Sequence, residues 1–320
     1  MKNLLKFKNI AMIAIVALLS FSCDDDNDEK NTDNTITGTA VKAPNLTVLV
    51  QALTRANLAT TLQGTGSFTV FAPTDAAFNA FLTANNFTSI NQVPQDVLTR
   101  ILLNHVVSGT VKSTDLQTGY VKTLATSATS GTNTMSMYVN LASGVRLNGV
   151  ASVTTPDVMA SNGVIHIVDA VINLPSIVTH ATANPNFTSL VGALTGAGQP
   201  NFVATLSATG PFTVFAPTNA AFTSLNTELA PGGIASVSAA NLTRVLNYHV
   251  VNGNILATAL TAGTLPTLQT PQTFTVTLTG GAKITDVRNR VANVTATDVQ
   301  CSNGVIHVLD KVLLPTFPNP

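Results

Sequence analysis

The chain has 320 residues, 45% of them apolar, which supports about two hydrophobic cores and excludes a disordered chain. Basic and acidic residues balance at 15 each and charged residues are only 9% of the total, so the chain lacks the electrostatic footprint of a nucleic-acid binder. With only Cys23 and Cys301 present, the cores must stand without a disulfide framework.

The N-terminus reads as a processed leader. Lys2, Lys6 and Lys8 precede an apolar run from Ile10 to Leu19 that is too short to span a bilayer comfortably. It ends in Leu19-Ser20-Phe21-Ser22-Cys23, which resembles the bacterial lipoprotein signal. That resemblance implies removal of residues 1–22 and acylation of Cys23, giving a membrane anchor. Asp24, Asp25, Asp26, Asp28 and Glu29 follow, and residues 23–38 read as a solvated, self-repelling tether. Acidic residues just behind a lipidated cysteine also resemble a surface-export signal of some Gram-negative bacteria. This implies the outer face of the outer membrane, with a periplasm-facing lipoprotein as the alternative. Without the three leader lysines, 12 basic residues face 15 acidic ones; without the tether's Lys30 and six acids, 11 face 9, a nearly neutral folded part.

Beyond the tether the chain is written twice. Asn45-Leu46-Thr47-Val48-Leu49-Val50-Gln51-Ala52-Leu53 predicts an amphipathic helix with Leu46, Leu49, Val50 and Leu53 on one stripe. Thr69-Val70-Phe71-Ala72-Pro73 predicts a buried strand stopped by proline, after which Thr74 or Asp75 caps a helix carrying Phe78, Phe81 and Leu82. Leu98 to Asn104 predicts another helix, running into a strand at His105-Val106-Val107. Thr-rich strands with turns at Ser143-Gly144 and Asn148-Gly149 fill the stretch up to Pro156. Ser161-Asn162-Gly163-Val164-Ile165-His166-Ile167-Val168-Asp169 predicts a turn and a central strand. The same blocks return from Asn186, Thr213, Leu242 and Ser302, displaced by 141 or 144 positions. Helices early and strands late in each copy predict an α+β fold. Residues 39–174 and 175–316 are the expected domains, with the first copy trimmed relative to the second, which opens on a helix-like Ser176 to His180. The short linker near Pro175 predicts a fixed pair.

The boxes Thr-Val-Phe-Ala-Pro-Thr-(Asp/Asn)-Ala-Ala-Phe and Ser-Asn-Gly-Val-Ile-His-(Ile/Val)-(Val/Leu)-Asp resemble the two signature boxes of the fasciclin (FAS1) domain family, with Tyr248-His249 at the place of its Tyr-His motif. The resemblance covers about residue 40 to 316, twice over. It implies two tandem domains, each a curved β-sandwich wedge with helices packed along one side. It also implies non-enzymatic adhesion or matrix interaction with a protein or glycan of the envelope. The runner-up is a scaffold or accessory subunit of an envelope complex.

Chemistry of other kinds has little to stand on. Asp75 and His105 suggest an acid–base pair, but the second copy has Asn219 beside a retained His249. His105, His166, His249 and His307 lie in apolar surroundings and read as hydrogen-bonded core histidines. The pairs His105 with His166 and His249 with His307, each without a fixed third ligand, make no zinc site, so neither metal nor cofactor is expected. Tyr248 and His249 are candidates for partner contact through the Tyr-His resemblance. Lys283, Arg288 and Arg290, the densest basic group, are candidates for contact with acidic glycans or lipopolysaccharide phosphates, Arg288 and Arg290 sharing a face if their segment is a strand. Cys301 stands where the first copy has Ala160 and reads as a small buried thiol.

Overall fold

A computed structural model describes residues 33–195 and 202–317. The leader, Cys23 and most of the acidic tether lie outside the described residues. The first repeat runs α1 (Ile36–Lys42), α2 (Thr47–Arg55), β1 (Phe68–Pro73), α3 (Asp75–Ala84), α4 (Gln95–Asn104), β2 (Val106–Ser108), β3 (Gly119–Thr126), β4 (Thr134–Asn140), β5 (Arg146–Leu147), β6 (Ala151–Ala160) and β7 (Gly163–Val168). The second runs α5 (Ile177–Ala183), α6 (Thr188–Thr195), α7 (Phe202–Ser207), β8 (Phe212–Pro217), α8 (Asn219–Glu228), α9 (Ala239–Tyr248), β9 (Val250–Asn252), β10 (Gly263–Pro266), β11 (Thr273–Thr277), β12 (Lys283–Thr285), β13 (Val291–Cys301) and β14 (Gly304–Leu309). Each repeat is α+β, with one seven-stranded sheet of order β2-β1-β7-β6-β5-β4-β3 or β9-β8-β14-β13-β12-β11-β10.

The two boxes form the centre of each sheet. β1 and β7 pair in parallel, Phe68 beside Gly163 through Pro73 beside Val168, and β8 and β14 repeat the register. A strand buried on both faces must be apolar on both. Accordingly Val70 and Ala72 belong to the core under the helices, while Phe71 turns into a second core with Met137, Val139 and Val168. Burying Phe71 contributes about 2–3 kcal/mol by area. The second core exists because the sheet folds over on itself. β6 carries bulges between Val153 and Val158, with Asp157 at a φ of 60°, and β13 does the same around Asp298. Bulges bend and twist a strand, and this bend brings β3 against β2, at the opposite end of the hydrogen-bonded order.

The helix starts are set by their caps. Thr74 accepts from the Ala77 N–H and Thr218 from the Ala221 N–H, so α3 and α8 begin just behind the proline stop. The first repeat, however, is not trimmed. Its α1 corresponds to α5 and lies partly inside the stretch expected as tether. The Ile36 N–H donates to Asn162 Oδ1 (2.8 Å), as the Ile177 N–H does to Asn303 Oδ1 (3.0 Å). Asp33 is drawn in as well, accepting from Thr35 and from Gln63 Nε2.

Candidate functional site

The histidines are spent on the fold. His105 Nδ1 faces the Ile101 carbonyl at 2.7 Å while its Nε2 accepts from the Ile172 N–H at 2.9 Å. His249 repeats this with Val245 (2.7 Å) and Leu313 (2.9 Å). An imidazole that donates on one side and accepts on the other is neutral, and burial lowers both to a pKa of about 4. His166 accepts from the Asp157 N–H and faces the Val111 carbonyl; His307 does the same with Asp298 and Ile255. Their rings lie 5.4 Å from Phe71 and Phe215, respectively. All four pin the end of a helix or loop to the sheet.

The acids are likewise engaged. Asp75 takes the Val48 N–H (2.8 Å) and the Thr47 hydroxyl (2.7 Å), fixing the start of α2. Asn219 takes the Ser189 N–H (2.9 Å) and gives a bond to the Pro185 carbonyl (2.8 Å), fixing the start of α6. An acid–base partnership of Asp75 with His105 is therefore replaced by two separate anchoring tasks. Asp157 is held by Ser113, which supplies both a backbone and a hydroxyl donor and lowers the carboxyl pKa.

The residues singled out for partner contact have mixed positions. Tyr248 is fully buried; its hydroxyl donates to the Thr273 carbonyl (2.8 Å) and accepts from the Val287 N–H (3.2 Å), and its ring meets Phe274 edge-on. His249 is 4% exposed. Neither ring is offered to a partner in this state, because both are committed to backbone groups of the interior. Arg288 and Arg290 are not on a strand but in the turn between β12 and β13, with Asn289 at a φ of 59°. The cause is Asp286, buried at 3% exposure, whose Oδ1 accepts the N–H groups of Arg288 and Arg290. Arg290 is a strut, bonded to Asp286, the Val312 carbonyl and Glu228. Arg288 donates to the Pro315 carbonyl and covers the Phe317 ring at 4.7 Å. Lys283 is half-buried on β12 and makes no side-chain bond among the described residues.

Two features escaped the sequence reading. The first is Asn162, whose amide also donates to Leu62 (2.7 Å) and Gly64 (3.0 Å) and so clamps three segments together; Asn303 does this with Leu206 and Ala208. The second is the joint between the repeats. Lys122 on β3 donates to the Asp298 carbonyl (2.7 Å), Ser136 Oγ accepts the Gln300 N–H (3.0 Å), and Thr129 donates to the Ser302 carbonyl (2.7 Å). Tyr120 meets His180 edge-on at 5.3 Å and accepts from Asn184 Nδ2. His180 is fully buried, and neither ring nitrogen has a hydrogen-bond partner; the backbone of Ser136 and Gln300 lies beside the ring without bonding geometry. Burial lowers its pKa to about 3. Cys301 is buried nearby and its thiol is pushed far up. Signals for the joint were faint: Tyr120 and Tyr138 are two of only three tyrosines in the chain.

Among the described residues, no three His, Cys, Asp or Glu side chains gather as a metal site, and no helix is long and apolar enough to cross a membrane. The Fasciclin domain family matches residues 44–175 and 185–315. The chain belongs to the fasciclin family. Fasciclin domains are in general adhesion-related rather than enzymatic. Among curated relatives, Protein sll1483 of Synechocystis is 40% identical over 140 residues, covering 44% of this chain and 73% of that protein. Immunogenic protein MPB70 of Mycobacterium bovis is 38% identical over 137 residues, or 42% of this chain and 66% of that one. Both repeats are engaged by the pig transforming growth factor-beta-induced protein ig-h3, 29% identical over 269 residues; the match covers 79% of this chain but only 35% of that protein. A solved FAS1 domain pair from the insect cell adhesion molecule fasciclin I aligns with a TM-score of 0.49 and 20% identity, over 89% of this chain and 98% of that one.

Proposed function

We propose that this fasciclin protein is anchored to the cell envelope through an acylated Cys23 and mediates non-enzymatic adhesion, its tandem domains binding a protein or glycan of the envelope or matrix. The observation that carries the reading is the order of parts along the chain: a lipobox-like Leu19 to Cys23, an acidic stretch, then two domains of an adhesion-related family. The engagement of the candidate acids and histidines in backbone hydrogen bonds supports a binding role over a catalytic one. The mechanism is tethering. Acyl chains hold the base, the acidic segment holds the domains off the membrane, and many copies on one cell turn a weak contact into firm attachment by avidity.

The test is a clean deletion strain complemented with the wild-type chain or with Cys23→Ala. The expected result is reduced attachment and biofilm in the deletion and in the Cys23→Ala strain, restored only by the wild type. Unchanged attachment of the deletion strain overturns the reading. Protease treatment of intact cells locates the domains, and complete protection turns the assignment to a periplasm-facing protein.

A further inference from the structure

The joint between the repeats leaves a cleft of about 300 Å³, within the size range of small-ligand sites. The first repeat contributes Tyr120 and Tyr138, and the second contributes Asn184, Asn186 and Thr295. The two tyrosines are a directly opposed pair on β3 and β4, with ring centroids 5.0 Å apart. Tyr138 is only 4% exposed as a residue, but its hydroxyl, which has no hydrogen-bond partner among the described residues, is not a buried atom and reaches solvent at the cleft. The Tyr120 oxygen is an acceptor from Asn184, which leaves its own proton free to donate. Burial raises both phenols, so both stay protonated. Asn186 is exposed, and its side-chain amide is likewise uncommitted.

Among the described residues, no charged side chain lines this cleft. Its chemistry is aromatic carbon beside hydroxyl and amide groups, which suits a ligand with an apolar face and a rim of neutral hydroxyls. Phosphate and carboxylate ligands find no counter-charge there. From this geometry we infer that the cleft between the repeats binds a neutral sugar ring of a glycan, Tyr120 packing on the ring's C–H face while the Tyr138 hydroxyl and the Asn186 amide bond its hydroxyls. The site needs both repeats, and the bonds from Lys122, Ser136 and Thr129 hold its two walls in register before the ligand arrives. Such preorganisation reduces the ordering cost of binding. The inference deepens the adhesion reading and rests on it for its biological meaning.

The chain has no tryptophan and three tyrosines, two of them in the cleft, so intrinsic tyrosine fluorescence reports directly on the site. The full chain is titrated with neutral oligosaccharides of glucose, mannose, galactose and N-acetylglucosamine, and with oligogalacturonate as the acidic control. A saturable change with at least one neutral oligosaccharide is expected. Tyr138→Phe, which keeps the ring, weakens it about five- to tenfold, as loss of one hydrogen bond does. Asn186→Ala, an exposed position, weakens it by a similar factor. Absence of saturation across the neutral panel, binding of the acidic control alone, or unchanged affinity in both variants overturns the inference. If the deletion strain fails to attach while the neutral panel does not bind, the cleft assignment falls and adhesion stands. If the panel binds while the deletion strain attaches normally, the cleft stands and the adhesion reading falls.

Discussion

Residue 104 of the first repeat and residue 248 of the second occupy the same place at the end of a helix, and they solve one problem in two ways. Asn104 is fully buried and donates directly to the carbonyls of Ile172 and Asn173, while accepting from Thr123. Tyr248 reaches past that point to Thr273 and Val287; the corresponding stretch keeps the histidine bond to Leu313 that His105 makes to Ile172, and adds a bond from the Leu314 N–H to Asp286. Asp286 in turn organises the turn bearing Arg288 and Arg290. The differences between the copies at these positions are thus compensations within a common frame. A motif that varies between repeats is not by that fact a surface motif.

The comparison implies that the shared frame is equally demanding in both copies. Gly163 and Gly304 both sit at a φ of 151°, where an added Cβ would lie 2.0 Å from the carbonyl oxygen of Phe68 or Phe212. Gly163→Ala and Gly304→Ala should each cost about 3 kcal/mol or more, the largest effect expected here. Urea denaturation measures it, and a strongly unequal pair of losses would break the equivalence of the repeats.

Acid separates the partnered histidines from the unpartnered one. His105 and His249 titrate near 4 and His180 near 3 in the folded chain, against 6.5 in the unfolded chain. Their folded values are depressed, so between about pH 6.5 and 4 the unfolded chain binds more protons and stability falls as pH falls. Each contributes a slope of up to about 1.4 kcal/mol per pH unit. Calorimetry from pH 7 to 4 should show a falling Tm. His180→Leu should flatten that slope and hold or raise stability at pH 7, because it removes two buried nitrogens that have no partner. A large loss at pH 7 would show that the His180 ring is bonded in solution.

The smallest effect is expected where the copies already exhibit the exchange. Asp75→Asn recreates the Asn219 arrangement and should change stability by less than about 1 kcal/mol, whereas Asp75→Ala leaves the Val48 N–H without its partner and should cost about 1–2 kcal/mol. A costly Asp75→Asn would sharpen the comparison by showing that the carboxylate has work the amide cannot do.

Much of the frame was legible because it is local. Proline stop, threonine cap and helical apolar spacing lie within ten residues of one another in Thr69 to Phe78, and the repeat displays them twice. The core role of the histidines followed from their apolar neighbours. The turn at Arg288 and Arg290 was missed because its cause, a buried Asp286 gathering backbone donors, looks in sequence like any surface acid. The helix α1 was missed because its anchoring residue, Asn162, is 126 positions away. The joint was illegible for the same reason: Tyr120 and Tyr138 meet residues near 184 and 295 with no periodicity to announce it.

The Asn162 clamp also determines how the protein carries load. A pull arriving along the chain from the N-terminal side enters at Ile36 and passes through Asn162 to the start of β7, a strand bonded on both sides by β1 and β6. Such a pull must first break that clamp, the Ile36 bond together with the two bonds from the Asn162 amide to Leu62 and Gly64, before any strand of the sheet is loaded. The repeat would therefore meet tension from its N-terminal side with a clamp at the centre of the sheet, not with a free helix.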